Sequence, residues 1–146
     1  MATATYNGFQ DFTEQLVKGT HNFSSNTFKV YLSNDTPSAS ADAVKADLAE
    51  ITGGNGYTSG GETTTTAVSE TGGTATVTGT QVAWTATGGS IATFRYVVLY
   101  NDTSASKNLV AWWDYGSAVN LGVGESFTVK FSNASPGNIF TLALAA

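Results

Sequence analysis

The sequence predicts an all-β protein, a β-sandwich of jelly-roll-like form with one short N-terminal helix. Three observations carry that expectation. Charged residues make up only 12% of the 146, about half the usual share; Thr, Ser, Asn and Gly stand in their place, and these favour strands and turns. Segments that alternate apolar and polar residues recur along most of the chain, divided by Gly- and Ser-rich stretches. Only one stretch has helical spacing.

That stretch is NGFQDFTEQLVKG, residues 7–19. Phe9, Phe12, Leu16 and Val17 share one helical face. Asn7 is placed to cap it, with Gln10 as the capping-box partner, and Gly19 stands where the helix would stop. TFKVYLS (27–33) alternates as a strand, with Phe28, Val30 and Leu32 inward and Lys29 and Tyr31 outward. Residues 34–50 are irregular; they read as a turn of helix around Ala43–Leu48, an edge strand or an extended arm. TATVTGTQVAWTA (74–86) is one bent strand or two short ones, with Gly79 at the break. TFRYVVLYN (93–101) and NLVAWWDYG (108–116) are more apolar and read as central strands. SFTVKFS (126–132) alternates again. NIFTLALAA carries apolar residues to the end, so that end should be tied into a sheet or an interface. In total about seven or eight strands form one domain over 1–146, with the helix and its loop in 1–26 and an irregular arm plus Gly-rich loop in 34–62.

A symmetric hairpin closed by NDTSASKN places Arg95 opposite Asp114, Val97 opposite Trp112 and Leu99 opposite Val110. On the other face Phe94 meets Tyr115 and Tyr96 meets Trp113. Opposite charges and aromatic pairs both favour this register, and a slip of one residue would put Arg95 and Asp114 on opposite faces.

Composition narrows function. There is no cysteine, which excludes disulfides and thiolate metal sites. The net charge is −5 with six basic residues, spread singly, which argues against nucleic acid as a partner. The N-terminus has neither the basic nor the apolar region of a signal peptide. YVVLY (96–100), the longest apolar run, is too short to span a membrane. A surface poor in Lys and Glu resembles what contact surfaces select for.

GGNGYTSGG (53–61) holds five glycines and invites comparison with a phosphate-binding loop. A P-loop needs a Lys after its last glycine; here Glu62 follows, then threonines that read as a strand. The glycines instead permit consecutive turns, and Tyr57 is placed to pin the loop to the body. Asp114, Glu125, Glu62 and Glu70 have no spacing that suggests a glycosidase pair, and Asp114 already has Arg95. His21 is the single histidine; it reads as a polar turn residue and cannot build a His-based metal cluster. A calcium site around Asp35 or Asp102 lacks EF-hand spacing. No catalytic, cofactor-binding or metal-ligating residue is assigned.

Trp112 and Trp113 adjoin on a strand and so point to opposite faces. Either both faces are covered, as in a central strand, or one Trp joins Tyr96 and Tyr115 in an exposed platform for a partner side chain or a sugar ring.

The opening helix with KGTHNFSSNTFKVYLSND, the central EITGGNGYTSGG, the strand FRYVVLYND and the late AWWDYG with GESFTVKF together resemble a family of small virion proteins of tailed bacteriophages and prophages. The resemblance covers most of the chain and implies a structural component with no catalytic residues. On that basis the chain is expected to be a capsid decoration, or cement, protein, made in the bacterial cytoplasm and placed on the capsid exterior. Its partners would be the major capsid protein and further copies of itself. Candidate contact residues are Phe9, Phe12, Tyr96, Trp112, Trp113 and Tyr115, together with the 34–50 arm. A tail or fibre subunit, or a glycan-binding module on the particle, is the alternative.

Overall fold

The computed structural model describes residues 2–145. Strand takes 47% of the chain and helix 7%, so the protein is an all-β sandwich. Its strands are β1 (Asn7–Gly8), β2 (Phe28–Ser33), β3 (Glu62–Thr64), β4 (Thr66–Thr71), β5 (Thr74–Gly79), β6 (Val82–Thr85), β7 (Ile91–Asn101), β8 (Leu109–Leu121), β9 (Ser126–Val129) and β10 (Gly137–Ala143), with helix α1 at Asp11–Val17. One five-stranded sheet runs β1-β8-β7-β2-β3, and two smaller sheets run β10-β5-β4 and β6-β9. Every pairing is antiparallel.

The main core joins the large sheet to the small ones. Phe28, Val30 and Leu32 of β2, with Ile91, Phe94, Val97 and Leu99 of β7, pack with Val77 of β5, Val82 and Trp84 of β6 and Ile139 of β10. The alternation read in β2 therefore holds on this face. Tyr31 does not point to solvent as expected; it is fully buried on the other face of the sheet, with Phe9, Leu48, Val98, Tyr100 and Leu109.

What covers that second face is the segment expected to be an arm. Residues 34–51 run across the sheet as a strap with one 3₁₀ turn, Lys45–Asp47. The Leu109 N–H donates to the Ala43 carbonyl at 2.9 Å, the Lys45 N–H to the Lys107 carbonyl at 2.9 Å and the Ile51 N–H to the Leu32 carbonyl at 3.0 Å. The Tyr31 hydroxyl donates to the Leu48 carbonyl at 3.0 Å, and the Ser33 hydroxyl to that of Ala49 at 2.7 Å. A segment rich in Ala and Ser has few side chains to announce its docking, because its bonds are mostly backbone.

The helix begins later than its pattern suggested. Asn7 is no cap: Asn7 and Gly8 pair with Trp112 and Ala111 as β1, and the first helical turn has no side-chain cap. The stop is as expected. Gly19 sits at φ +80°, its N–H reaches the Leu16 carbonyl at 3.1 Å, and the Thr20 N–H reaches that of Gln15 at 2.9 Å; this is a Schellman close. Val17, expected on the apolar face, is 88% exposed.

The long hairpin corrects the expected register. Tyr100 pairs with Leu109 as expected, but Leu99 then pairs with Ala111, Val97 with Trp113 and Tyr96 with Asp114. Val110 is an extra residue at that shift, and both Val110 and Ala111 face the core. The slip moves Trp113 to the main core and Trp112 to the second face. It should also have separated Arg95 from Asp114, yet their bidentate pair forms at 2.8 and 3.0 Å. A second register shift between Phe94 and Tyr96 leaves Arg95 without a strand partner. The inserted residues lie on β8, where 115–118 stand against Arg95 alone, and the ladder is broken there. One irregularity undoes the other for this ion pair.

Candidate functional site

Five aromatic side chains line a groove of about 460 Å³ between the N-terminal segment and residues 126–133, β9 and the turn after it. Residues 2–4 form one wall; Tyr6, Trp113, Tyr115, Phe127 and Phe131 supply most of the rest. Trp113 stands between Tyr6, edge-on at 5.7 Å, and Phe131 at 5.5 Å. Tyr115 meets Phe127 edge-on at 5.8 Å. Burial pushes the Tyr6 hydroxyl up to about 12, so it stays protonated. The polar members include the hydroxyls and amides of Ser126, Thr128, Asn133 and Asn138, with Lys130 the one charge. Such a lining can engage a partner by apolar contact and hydrogen bonding.

The expected contact residues are only partly brought together here. Trp113 and Tyr115 line the groove, and Tyr115 is 42% exposed. Trp112 is half-buried on the opposite face with its ring 4.6 Å from Phe9. Phe9, Phe12 and Tyr96 are buried within the chain itself, so they present no surface. Phe9 is drawn under by β1, Phe12 packs edge-on against Phe140 at 5.4 Å, and the Tyr96 hydroxyl lies 3.4 Å from that of Thr36 in the strap. The expected platform of one exposed Trp with Tyr96 and Tyr115 does not form: Trp113 and Tyr115 turn to the groove, while Tyr96 is buried on the other face against the strap.

The Gly-rich loop is a turn that feeds β3. Four of its backbone donors are already used, among them the Gly54 N–H, bonded to the Tyr57 carbonyl at 2.8 Å, and the Gly60 N–H, which donates to the Glu50 carboxylate at 2.6 Å. Tyr57 is buried and pins the loop, donating to Glu50 at 2.7 Å and accepting the Leu32 N–H at 3.1 Å. The same carboxylate holds Lys45 at 2.6 Å, whose ammonium lies 4.9 Å from the Tyr31 ring centre. The chain's own Glu50 thus takes the place that an anion would take. Nothing in the glycine spacing announced this; the signal lay three residues upstream of the loop, in an acid within the strap.

His21 is not a solvated turn residue. It is buried, set among the rings of Phe12, Phe23 and Phe28, and its Nδ1 lies 3.3 Å from the Asn101 amide nitrogen. Desolvation lowers its pKa from 6.5 to about 4, opposed by the charge of Asp11. The unfolded chain therefore binds this proton more readily. The stabilisation is complete above pH 6.5 and is lost as pH falls toward 4, by up to about 3 kcal/mol. Urea midpoints taken between pH 7.5 and 4 should fall accordingly, and His21→Phe should flatten that part of the profile. An unchanged slope in the variant would exclude His21 as the cause.

Among the described residues, no three His, Cys, Asp or Glu side chains gather as metal ligands, and no helix is long and apolar enough to cross a membrane. Five of the six basic side chains are held by the chain's own acids: Lys18 by Glu14, Lys29 and Lys107 by Asp102, Lys45 by Glu50 and Arg95 by Asp114. The apolar end of the chain, expected to be tied into a sheet or an interface, leaves the outer half of the β10-β5-β4 sheet exposed. There Val68, Leu142 and Leu144 are 45%, 56% and 87% exposed. The terminal apolar run was its signal. No family model matches the chain, and searches of curated proteins and of solved structures also find no match.

Proposed function

We propose that this chain is a non-enzymatic virion protein that decorates the capsid exterior, binding the major capsid protein and further copies of itself. The observation that carries the reading is an exposed β surface with little charge: an aromatic groove with hydroxyl and amide partners, and a sheet ledge bearing Val68, Leu142 and Leu144. Surfaces of this kind lose little on desolvation and gain on burial. The motif-level likeness to small phage virion proteins points to the particle. With five of its six basic residues paired to the chain's own acids, the surface also offers little that would hold phosphate backbones. Adhesion across capsomer boundaries would stabilise the shell by mass action on the assembled state.

The experiment is to heat particles with and without the protein and follow DNA release. Particles lacking it should open at a lower temperature; equal resistance would reject the reading. A second reading, a tail or fibre subunit or a glycan-binding module, is favoured by the groove that Trp113 and Tyr115 line. A sugar-dependent quench of Trp fluorescence would turn the assignment toward it.

A further inference from the structure

We infer that the free edge of β10 is a self-association surface, and that a second copy of this chain adds its own β10 to it antiparallel about a twofold axis. The inference gives the self-association in the reading above a surface. It rests on the fold alone, so it stands or falls without reference to a shell.

The three-stranded sheet is two-faced along its whole length, but only half of it is covered. Val68, Val77 and Phe140 stand in register across β4, β5 and β10. Val77 is buried, and Phe140 packs against Phe12, Phe23 and Tyr6. The next row on that face is Glu70, Ala75 and Leu142, and Leu144 follows two residues on. The opposite face carries Ser69, Thr76 and Thr141 in register. Apolar on one side and polar on the other is the pattern of a sheet with one face packed. Here the pattern continues outward past the core, where residues 141–145 are all exposed.

The edge specifies what kind of partner fits. Among the described residues β10 pairs only with β5 and has no strand on its other side, so its outer half presents unpaired backbone donors and acceptors. Proteins guard such edges with charges, prolines or bulges. β10 has a register shift between Asn138 and Phe140, and Pro136 precedes it. Beyond Phe140 the sequence TLALA has no such guard. The other edge of the sheet, β4, carries Glu70 on the apolar face.

Charge then favours a copy of the same strand. About a twofold axis each residue meets its own kind or a near neighbour, so any charge would face a like charge. Residues 131–145 contain no Asp, Glu, Lys or Arg. An axis through Ala143 sets Leu142 opposite the partner's Leu144, and the reverse. Because 142 and 144 share a face, the apolar faces of both molecules coincide, and a six-stranded sheet continues from one core to the other.

The absence of cysteine makes the test direct. Two residues facing across an antiparallel pair have Cα atoms about 4.5–5.5 Å apart, within disulfide reach. In the full chain, Ala143→Cys should form a disulfide dimer under mild oxidation, while Val17→Cys, equally exposed, should not. By sedimentation velocity the wild-type chain should show a concentration-dependent dimer. Leu142→Lys should raise its dissociation constant about tenfold or more with the melting temperature unchanged, and Ser69→Lys, on the polar face of β4, should leave it alone. A chain that stays monomeric at every concentration, a dimer indifferent to Leu142→Lys, or cross-linking no faster at 143 than at 17 would each overturn the inference. None of these would bear on whether the protein stabilises a capsid.

Discussion

Gly61→Ala should destabilise the protein by on the order of 4 kcal/mol or more, a size reserved for backbone or core failures. Gly61 lies at φ +74°, and a Cβ built on it would stand 2.0 Å from the Val30 carbonyl oxygen, 2.6 Å from its carbon and 2.8 Å from the Tyr31 Cα. All three are backbone atoms of β2, so no side-chain rotation relieves the clash. The residue that follows, Glu62, is the strand partner of Val30. Moving Gly61 away therefore breaks the first pairing of β3 and disturbs the loop that Tyr57 and Glu50 hold. The left-handed conformation adds about 1 kcal/mol for any residue with a Cβ. Gly72, in the β4–β5 turn at φ +60° with nothing within 4 Å, isolates that smaller effect: Gly72→Ala should cost only about 1 kcal/mol. Thermal unfolding followed by circular dichroism should drop by about 10 °C or more for Gly61→Ala and by a few degrees at most for Gly72→Ala. Equal shifts would mean that the contact with β2 is not what fixes glycine at 61.

Trp84→Ala should cost about 3–5 kcal/mol, and Trp84→Phe far less. The indole is 2% exposed and lies between the rings of Tyr57 at 6.0 Å and Phe127 at 6.4 Å. It joins the β6-β9 sheet to the Gly-rich loop, so truncation to alanine empties the middle of the main core. Its Nε1–H, however, finds no acceptor within the chain. An unmet buried donor costs about 1–3 kcal/mol. Phenylalanine gives up some packing but also removes that donor, and the two effects offset. Urea unfolding of the two variants should separate them by about 2 kcal/mol or more. Similar losses for both would show that ring volume alone decides, and that the unpaired donor carries no cost.

The class of the fold was legible because it depends on composition and period, and both survive averaging over a strand. Phe28, Val30 and Leu32 alternate, and they are in the core. What was not legible depends on single residues whose effect is non-local. Tyr31 looked outward because a strand pattern alone does not say that a second layer will cover the polar face. The strap that covers it is bound mainly through backbone carbonyls, which have no signature in residue type. The hairpin register failed at Val110, one extra residue between Tyr100 and Leu99 in the pairing. No rule of cross-strand preference marks a bulge, and the pair that seemed to fix the register, Arg95 with Asp114, forms in spite of it.

The same limits explain the contact residues. Phe9, Phe12 and Tyr96 are aromatic in the right regions, but large aromatics are also what a core requires, and these three are in it. Tyr115 is exposed because residues 115–118 lie outside the regular pairing, between the partners Asp114 and Val119. The apolar end of the chain was read as needing a partner sheet or an interface. β10 is paired with β5 throughout its length, and its outer half still presents Leu142 and Leu144 to solvent.

The central claim is that this chain acts by adhesion to a shell, and density for the intact particle tests it most directly. A side-chain-resolution cryo-EM map of the virions whose genome encodes the chain should show the sandwich on the outer surface, seated on the major capsid protein at capsomer junctions, in hundreds of copies. Density confined to the tail or fibres, or particles in which the chain is absent, would contradict it.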